Sequence, residues 1–243
     1  MARSDSALPA PAEEVLVVLL PGLDGTGQLL TPFVARHPEG FRPVPLDFPA
    51  DRLANVDELI ELALRRLPQG RWILLAESFS GPLAIRLAAT QPPGLVGLVL
   101  VATAAKWSRL RWLREAPLTS LFGLAAPPST LRWLLLGDEA PTELVVAAQR
   151  AISSVRPDVL ASRVRELAAA DVTEDLAKVK VPILYLQARQ DRIARGAERR
   201  SIEGVHPLVD AQVLDGPHFL LQTAPDAVWQ LLAAFAHGRC PMV

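Results

Sequence analysis

Three polar residues, Ser78, Asp191 and His218, each follow a predicted strand, and together they could perform nucleophilic catalysis. The loops at the carboxyl ends of parallel strands lie at one edge of a sheet, so we expect the three side chains to meet there. A histidine can take the proton of a serine hydroxyl, and a carboxylate can orient that histidine through the other ring nitrogen.

Each of these residues also has an ordinary structural explanation. Ser78 could be a helix cap, and Asp191 could be a solvated turn residue. His218 could lie at the surface, as we predict for His37 and His206. The order Ser, Asp, His, with each member just after a strand, is more restrictive than any single residue. We therefore interpret them as one candidate site.

The residues around Ser78 resemble the nucleophile elbow of the α/β-hydrolase superfamily. That superfamily usually has GxSxG and the chain order Ser, acid, His. Here AESFS places Ala76 and Ser80, both small, where the glycines would stand. The resemblance runs from about residue 14 to 237. It implies an α/β-hydrolase fold with Ser78 as nucleophile, His218 as base and Asp191 as the orienting acid.

The glycine-rich loop PGLDGTGQ follows the first strand, where members of the superfamily often carry HG and a donor of the oxyanion hole. The resemblance implies the backbone N–H of Leu23 as one donor and that of Phe79 as the other. Pro21 replaces the usual histidine, which leaves open how this loop is held. The loop contains neither GK[ST] nor GxGxxG, so a nucleotide site is not expected.

Three further carboxylates are close in sequence to the candidate residues. Asp215 is a rival for the triad acid, but it is near His218 in sequence and the family places the acid after the preceding strand. Asp24 and Glu77 would oppose the charge of an oxyanion, so we expect both side chains to turn away and bond locally.

The surrounding elements alternate between strand and helix patterns without a hairpin signal. This alternation predicts an α/β fold with a mainly parallel sheet flanked by helices. The predicted strands are VLVVLL (15–20), FRPVPLDFP at or near an edge, WILLAE, LVGLVLVAT (95–103), VPILYLQARQD (181–191) and AQVLD (211–215). The predicted helices of this part are NVDELIELALRRL (55–67), PLAIRLAAT, a short one near GAERRSIEG, and APDAVWQLLAAFAHG.

Residues 106–178 interrupt the alternation with helical patterns punctuated by prolines and no strand-length apolar run. We expect a helical cap inserted into an α/β-hydrolase core of residues 14–105 and 179–238. Residues 1–13 are predicted to form a disordered leader.

Apolar residues of the predicted cap bear on the substrate. Trp107, Leu121 and Phe122 are candidates for lining a pocket over Ser78, and the alternative is that they form the core of the cap. An apolar pocket favours an acyl chain or an aromatic ester over a sugar or a peptide.

A basic run of Lys106, Arg109, Arg111 and Arg114 begins the predicted cap. Such a run is usually a solvated helix face. It could also receive an acidic acyl carrier or the phosphates of coenzyme A. In size and layout the chain resembles small capped hydrolases that cleave methyl esters of carrier-bound acids.

Composition bears on partners and location. The chain has 243 residues with 25 basic and 26 acidic side chains, so nothing indicates a nucleic-acid or membrane-surface partner. Cys240 is the only cysteine, which excludes an intramolecular disulfide and fits a cytoplasmic protein. VLVVLL is far shorter than the roughly 20 residues of a membrane span.

The sequence therefore predicts a serine carboxylic-ester hydrolase that acts on a small-molecule ester and needs no metal or cofactor. One alternative is a thioesterase or acyltransferase that acts on a carrier-linked acyl group. Another is a non-catalytic binding protein with the hydrolase fold, because a fold does not by itself specify an activity.

Overall fold

The computed structural model describes residues 14–124 and 126–240, so the predicted leader lies outside the described residues. Within this part, six strands form one sheet in the order β2-β1-β3-β4-β5-β6, and every neighbouring pair is parallel. The strands are β1 (Val15–Leu20), β2 (Phe41–Pro45), β3 (Trp72–Glu77), β4 (Leu95–Val101), β5 (Ile183–Ala188) and β6 (Val209–Leu214). The predicted parallel α/β sheet is confirmed.

The central strands read as continuous apolar runs because helices cover both faces of the sheet. Every residue of β1, β3 and β5 is buried. Alternate residues of β1 belong to two different core clusters, with Val18 on one face and Val17 on the other. The predicted edge position of β2 is also confirmed, since Pro43 and Pro45 cannot donate to a neighbouring strand.

Helices pack on the two faces of the sheet in separate layers. One layer contains α2 (Val56–Leu64), α3 (Ser80–Ala89) and α9 (Gly196–Glu203), and the other contains α1 (Thr31–Val34), α10 (Leu220–Thr223) and α11 (Pro225–Arg239). A 3-10 turn, Gln28–Leu30, precedes α1. The predicted Asn cap of α2 is present, because Asn55 Oδ1 accepts from Glu58 N at 2.9 Å and Glu58 Oε2 accepts from Asn55 N at 2.9 Å.

Residues 106–178, hereafter the β4–β5 segment, connect the neighbouring strands β4 and β5. Its helices are a 3-10 helix (Ser108–Arg114), α4 (Leu118–Phe122), α5 (Pro128–Leu131), a π-helix (Arg132–Leu136), α6 (Thr142–Ser153), α7 (Pro157–Ala169) and α8 (Thr173–Leu176). Lys106 and Asp171 form an isolated antiparallel bridge and an ion pair of 2.5 Å, so the two ends of the segment meet at its base.

None of the helices in residues 14–124 and 126–240 is long and apolar enough to cross a membrane.

Candidate active site

Ser78 occupies the sharp turn between β3 and α3. Its φ of 53° is unusual for a residue with a side chain, and such strain is found where a functional group must be presented. Two bonds from the neighbouring strand hold the turn: Ser78 N donates to Val101 O at 3.0 Å, and Thr103 Oγ1 donates to Ser78 O at 2.6 Å. A Cβ at Gly81 would lie 2.0 Å from Thr103 Oγ1, so the close contact requires glycine there.

Ser80, which stands where a glycine is usual, has a role that the motif does not indicate. Its side chain is fully buried, and Oγ donates a hydrogen bond to the carbonyl oxygen of Pro21. Pro21 in turn replaces the usual histidine of the glycine-rich loop. The two departures from the family pattern therefore contact each other and join the start of α3 to that loop.

The structure brings Ser78, His218 and Asp191 into one hydrogen-bonded chain. His218 Nε2 is 2.8 Å from Ser78 Oγ, and Nδ1 is 2.8 Å from Asp191 Oδ2 and 3.0 Å from Oδ1. The carboxylate is itself held by the loop after β5, because Oδ1 accepts from Ile193 N at 2.7 Å and from Ala194 N at 2.9 Å.

Burial and the Asp191 carboxylate determine which ring nitrogen of a neutral His218 carries the proton. The side chains of His218 and Asp191 are each only 1% exposed, so their interaction is little screened by water. A carboxylate only accepts hydrogen bonds, which places the proton of a neutral imidazole on Nδ1. Nε2 is then an acceptor facing the Ser78 hydroxyl, and it can take the hydroxyl proton.

Asp215, the rival acid, points elsewhere. Its side chain is 79% exposed and accepts from Arg189 Nε at 2.5 Å. Geometry therefore favours Asp191 as the partner of His218. The loop that carries Asp191 and the loop that carries His218 are joined directly, because Gly216 N donates to Gln190 Oε1 at 2.7 Å.

The prediction that His206 lies at the surface is wrong, whereas His37 is exposed. His206 is 4% exposed, and its Nε2 is 2.9 Å from Val179 O. Leu208 N donates to Nδ1 at 3.3 Å, so Nε2 carries the proton and donates to the carbonyl. Both ring nitrogens are satisfied by backbone, which explains the burial.

The predicted oxyanion donors lie on two loops beside the serine. Phe79 directly follows Ser78 and is buried, and Leu23 is half-buried in a turn closed by Gly25 N donating to Gly22 O at 3.1 Å. Among the hydrogen bonds formed within the described residues, neither the Leu23 N–H nor the Phe79 N–H donates to a protein acceptor. Both N–H groups are thus without a protein acceptor in this part of the chain.

Asp24 bonds locally, as predicted. Its Oδ2 accepts from the backbone N of Thr26 at 2.9 Å and from Thr26 Oγ1 at 2.5 Å. The carboxylate therefore braces its own glycine turn.

The prediction of a local bond is wrong for Glu77. Its Oε2 accepts from Gln222 Nε2 at 3.0 Å and its Oε1 from Leu221 N at 3.4 Å, so it bonds to α10, just after His218. Burial raises the pKa of Glu77 to about 7, against the opposing effects of the Gln222 hydrogen bond and the charge of His218. Sequence reasoning missed Gln222, because nothing near it in the chain indicates this partner.

Sequence reasoning also missed Arg163, which is 3% exposed on α7. Its guanidinium reaches the glycine-rich loop and donates to backbone carbonyl oxygens there. A signal was present, because Arg163 falls at helical spacing among the apolar positions Val159, Leu160 and Leu167, which are all buried.

The predicted pocket residues differ in exposure. Trp107 is 1% exposed within the main core, and Leu121 is 61% exposed. Trp107 is thus enclosed by the core, which matches the alternative interpretation, and Leu121 faces solvent. Phe122 remains a candidate, since it and Leu23 pack against the same small clusters.

In the part of the chain that the structure describes, no group of three or more His, Cys, Asp or Glu side chains is placed to hold a metal ion.

The parallel sheet, the elbow after β3 and the order of the three residues define an α/β hydrolase. The chain belongs to the serine aminopeptidase S33 family, whose model matches residues 47–230, which is most of the chain. The resemblance to the α/β-hydrolase superfamily is thereby confirmed.

Several solved structures are similar in fold. An enol-lactonase from Burkholderia xenovorans LB400 is 20% identical, with 93% of this chain and 92% of that chain covered and a TM-score of 0.74. The esterase EaEST from Exiguobacterium antarcticum is 15% identical, with 94% of each chain covered and a TM-score of 0.79. MenH from S. aureus is 16% identical, with 93% and 94% covered and a TM-score of 0.77. No curated protein sequence matches the chain.

Proposed function

We propose that the chain is a serine hydrolase that cleaves carboxylic esters through Ser78, His218 and Asp191. The observation that carries this proposal is the 2.8 Å contact between Ser78 Oγ and His218 Nε2, with the Asp191 carboxylate on the opposite ring nitrogen. A serine hydroxyl is a weak nucleophile until a neighbouring base removes its proton, and this arrangement supplies that base.

The reaction has two halves. His218 takes the proton as Ser78 Oγ attacks the ester carbonyl, and Asp191 stabilises the resulting imidazolium. The tetrahedral intermediate collapses, the C–O bond to the alcohol breaks, and His218 returns the proton to the departing alkoxide. Water, deprotonated by His218, then attacks the acyl-enzyme and releases the acid with regeneration of the Ser78 hydroxyl.

The oxyanion of each tetrahedral intermediate accepts hydrogen bonds from the N–H groups of Leu23 and Phe79. Phe79 is the cap residue of α3, so the positive end of this helix also faces the developing charge. Donors fixed before the reaction are effective because they need no reorganisation as the charge forms.

An ester is favoured over the free N-terminus of a peptide because the two carboxylates next to the candidate residues in sequence, Asp24 and Glu77, already have protein partners. Asp24 and Glu77 are both buried, and each is bonded to protein donors, Asp24 to Thr26 and Glu77 to α10. A substrate ammonium group buried beside them would need an unpaired acid to offset the cost of its desolvation.

The β4–β5 segment is proposed to act as a cap on the core of residues 14–105 and 179–238. Phe122 and Leu23, packed against common clusters, form an apolar wall beside the candidate oxyanion loop. An apolar acyl or aromatic group fits such a wall, because its burial is favourable at about 25 cal/mol per Å².

A carrier-linked acyl group is the second candidate substrate. Arg109, Arg111 and Arg114 are exposed, and no ion pair in the described part of the chain involves them. Lys106 leaves this set, since it is paired with Asp171. The three free arginines are suited to phosphate or carboxylate groups of a carrier.

Release of p-nitrophenol from esters of two to twelve carbons, with Ser78→Ala alongside, tests the proposal. We expect turnover by the wild type and a loss of several orders of magnitude in the variant. An amino-acid p-nitroanilide serves as the aminopeptidase probe. Preferred turnover of the anilide would replace ester by amide as the substrate, and inactivity on both would favour a carrier-linked donor or a binding role.

A further inference from the structure

Arg163 extends from α7 of the β4–β5 segment to the loop that carries Leu23. Its Nη1 donates to Leu23 O at 2.9 Å and to Asp24 O at 2.7 Å, and its Nη2 donates to Pro49 O at 2.8 Å. These contacts join residues that are 114 to 140 positions apart in the chain. One side chain thus fixes two successive carbonyls of the glycine-rich loop.

Arg163 is buried without a bonded carboxylate, which is costly for a cation unless several acceptors replace its water. Burial lowers the pKa of Arg163 to about 10, while the nearby charge of Asp24 opposes this shift. The side chain therefore stays protonated at neutral pH. Its charge lies 6.0 Å from the ring centre of Phe79, so it is close to both residues that carry the candidate donors.

The loop is shaped around this guanidinium. Gly25 has a φ of +70°, and a Cβ there would lie 2.4 Å from Arg163 Nη1. The backbone of the turn thus packs directly on the cation, with no side chain between them. Pro21 stands where the family resemblance places a histidine, and Arg163 supplies the side-chain donors that proline lacks.

We propose that Arg163 is a positioning residue that aims the Leu23 N–H at the oxyanion, so that the oxyanion hole is complete only when α7 is docked on the core. This inference rests on the proposed function. Holding the carbonyls of Leu23 and Asp24 fixes the two peptide planes that flank Asp24, directly after Leu23. The peptide that carries the Leu23 N–H is tied to this fixed part of the turn, because Gly22 O accepts from Gly25 N at 3.1 Å. A donor displaced by about 1 Å loses most of its effect on a transition state.

The test compares Arg163→Gln and Arg163→Lys with Arg156→Gln as a matched control. Arg156 also lies at α7 and donates to a core carbonyl, Asp51 O at 2.7 Å, but it does not touch the glycine-rich loop. A variant that only loosens the attachment of α7 should therefore behave like Arg156→Gln. Folding of each variant is checked by circular dichroism and thermal unfolding.

For Arg163→Gln we expect kcat on p-nitrophenyl butyrate to fall about 100-fold with KM changed less than about threefold. Binding of an alkyl trifluoromethyl ketone, which forms an oxyanion with Ser78, should weaken by a similar factor. Arg163→Lys should recover part of kcat, because it keeps the charge but cannot bond three carbonyls at once. Arg156→Gln should retain both kcat and ketone binding.

Equal losses in Arg163→Gln and Arg156→Gln, or a change in KM alone, would overturn the inference. Hydrogen exchange of the amides in residues 22–25 decides it independently of activity. Faster exchange in Arg163→Gln, but not in Arg156→Gln, supports the positioning role even if the wild type hydrolyses no ester. In that case the proposed function fails and the inference about Arg163 stands. Unchanged exchange overturns the inference. If Arg163→Gln does not fold, Arg163→Lys and Gly25→Ala replace it in both measurements.

Discussion

The sheet and the β4–β5 segment are packed differently. The sheet is enclosed by two large apolar clusters, and β1, β3 and β5 are buried along their whole length. The buried apolar residues of the β4–β5 segment form small clusters, except for those that belong to the main core. Its exposed large apolar side chains are Trp112, Leu121, Leu124 and Trp133.

The sheet and the β4–β5 segment also contribute differently to the proposed site. Ser78, Asp191 and His218 all follow strands of the well-packed sheet, where their mutual geometry is held by backbone. The segment contributes contacts that reach the site from outside, through Arg163 to the glycine-rich loop and through Leu135 O, which accepts from Phe219 N at 2.9 Å. In the proposed mechanism the three reacting side chains therefore belong to the loops of the sheet, and the segment holds neighbouring loops.

The largest effect on activity should come from replacing Asp191, the proposed acid partner of His218. Asp191→Asn keeps an acceptor for Ile193 N and Ala194 N but can no longer hold the Nδ1–H tautomer of His218. We expect kcat for an ester to fall by about 10⁴-fold. Asp215→Asn is the control, because this exposed carboxylate is paired with Arg189, and its kcat should be unchanged. Similar losses in the two variants would refute the assignment of Asp191.

Stability should respond to the sheet far more than to the segment. Leu98→Ala in β4 removes a side chain that is 0% exposed and should lower the free energy of unfolding by about 2–5 kcal/mol. Leu121→Ala removes one that is 61% exposed and should change it by less than about 0.5 kcal/mol. Urea unfolding measures both, and a large loss for Leu121→Ala would show that the segment is packed as tightly as the sheet.

Glu77 links the strand before the serine to the helix after His218, and its ionisation should appear in the pH dependence of stability. Because burial raises its pKa from 4.5 to about 7, the folded protein holds a proton that the unfolded chain lacks between these values. The stability from protonated Glu77 is complete below the lower pKa and is lost as pH rises through the higher one.

Glu77→Gln cannot titrate, so it should become more stable relative to the wild type between about pH 5 and pH 8, by up to roughly 3 kcal/mol. Urea unfolding at the two pH values gives this difference. Glu39→Gln, at an exposed position, is the control and should show no such change. A constant difference between Glu77→Gln and the wild type would mean that Glu77 is ionised throughout.

The smallest effect on the core reaction should come from the arginines of the segment. Replacement of Arg109, Arg111 and Arg114 by alanine should leave turnover of a small soluble ester unchanged, since the three side chains are exposed. For an ester linked to an acidic carrier protein, kcat/KM should fall roughly tenfold or more. Equal effects on both substrates would remove the carrier as a candidate.

Much of the core could be predicted from local patterns. The apolar runs predict the central strands, the prolines predict the edge position of β2, and small residues around Ser78 predict the sharp turn. The order of Ser78, Asp191 and His218 then predicts a common sheet edge, because parallel strands bring their carboxyl ends together. The structure places the three side chains within hydrogen-bonding distance.

Only the tertiary structure decided which distant groups pair with one another. Glu77 bonds to residues 144 and 145 positions away, and Arg163 reaches a loop 140 positions away. His206 is buried, although sequence reasoning placed it at the surface. Periodicity determines which face of an element is apolar. The partners of a buried polar group depend on how whole elements dock, and that information is not contained in any local stretch of the chain.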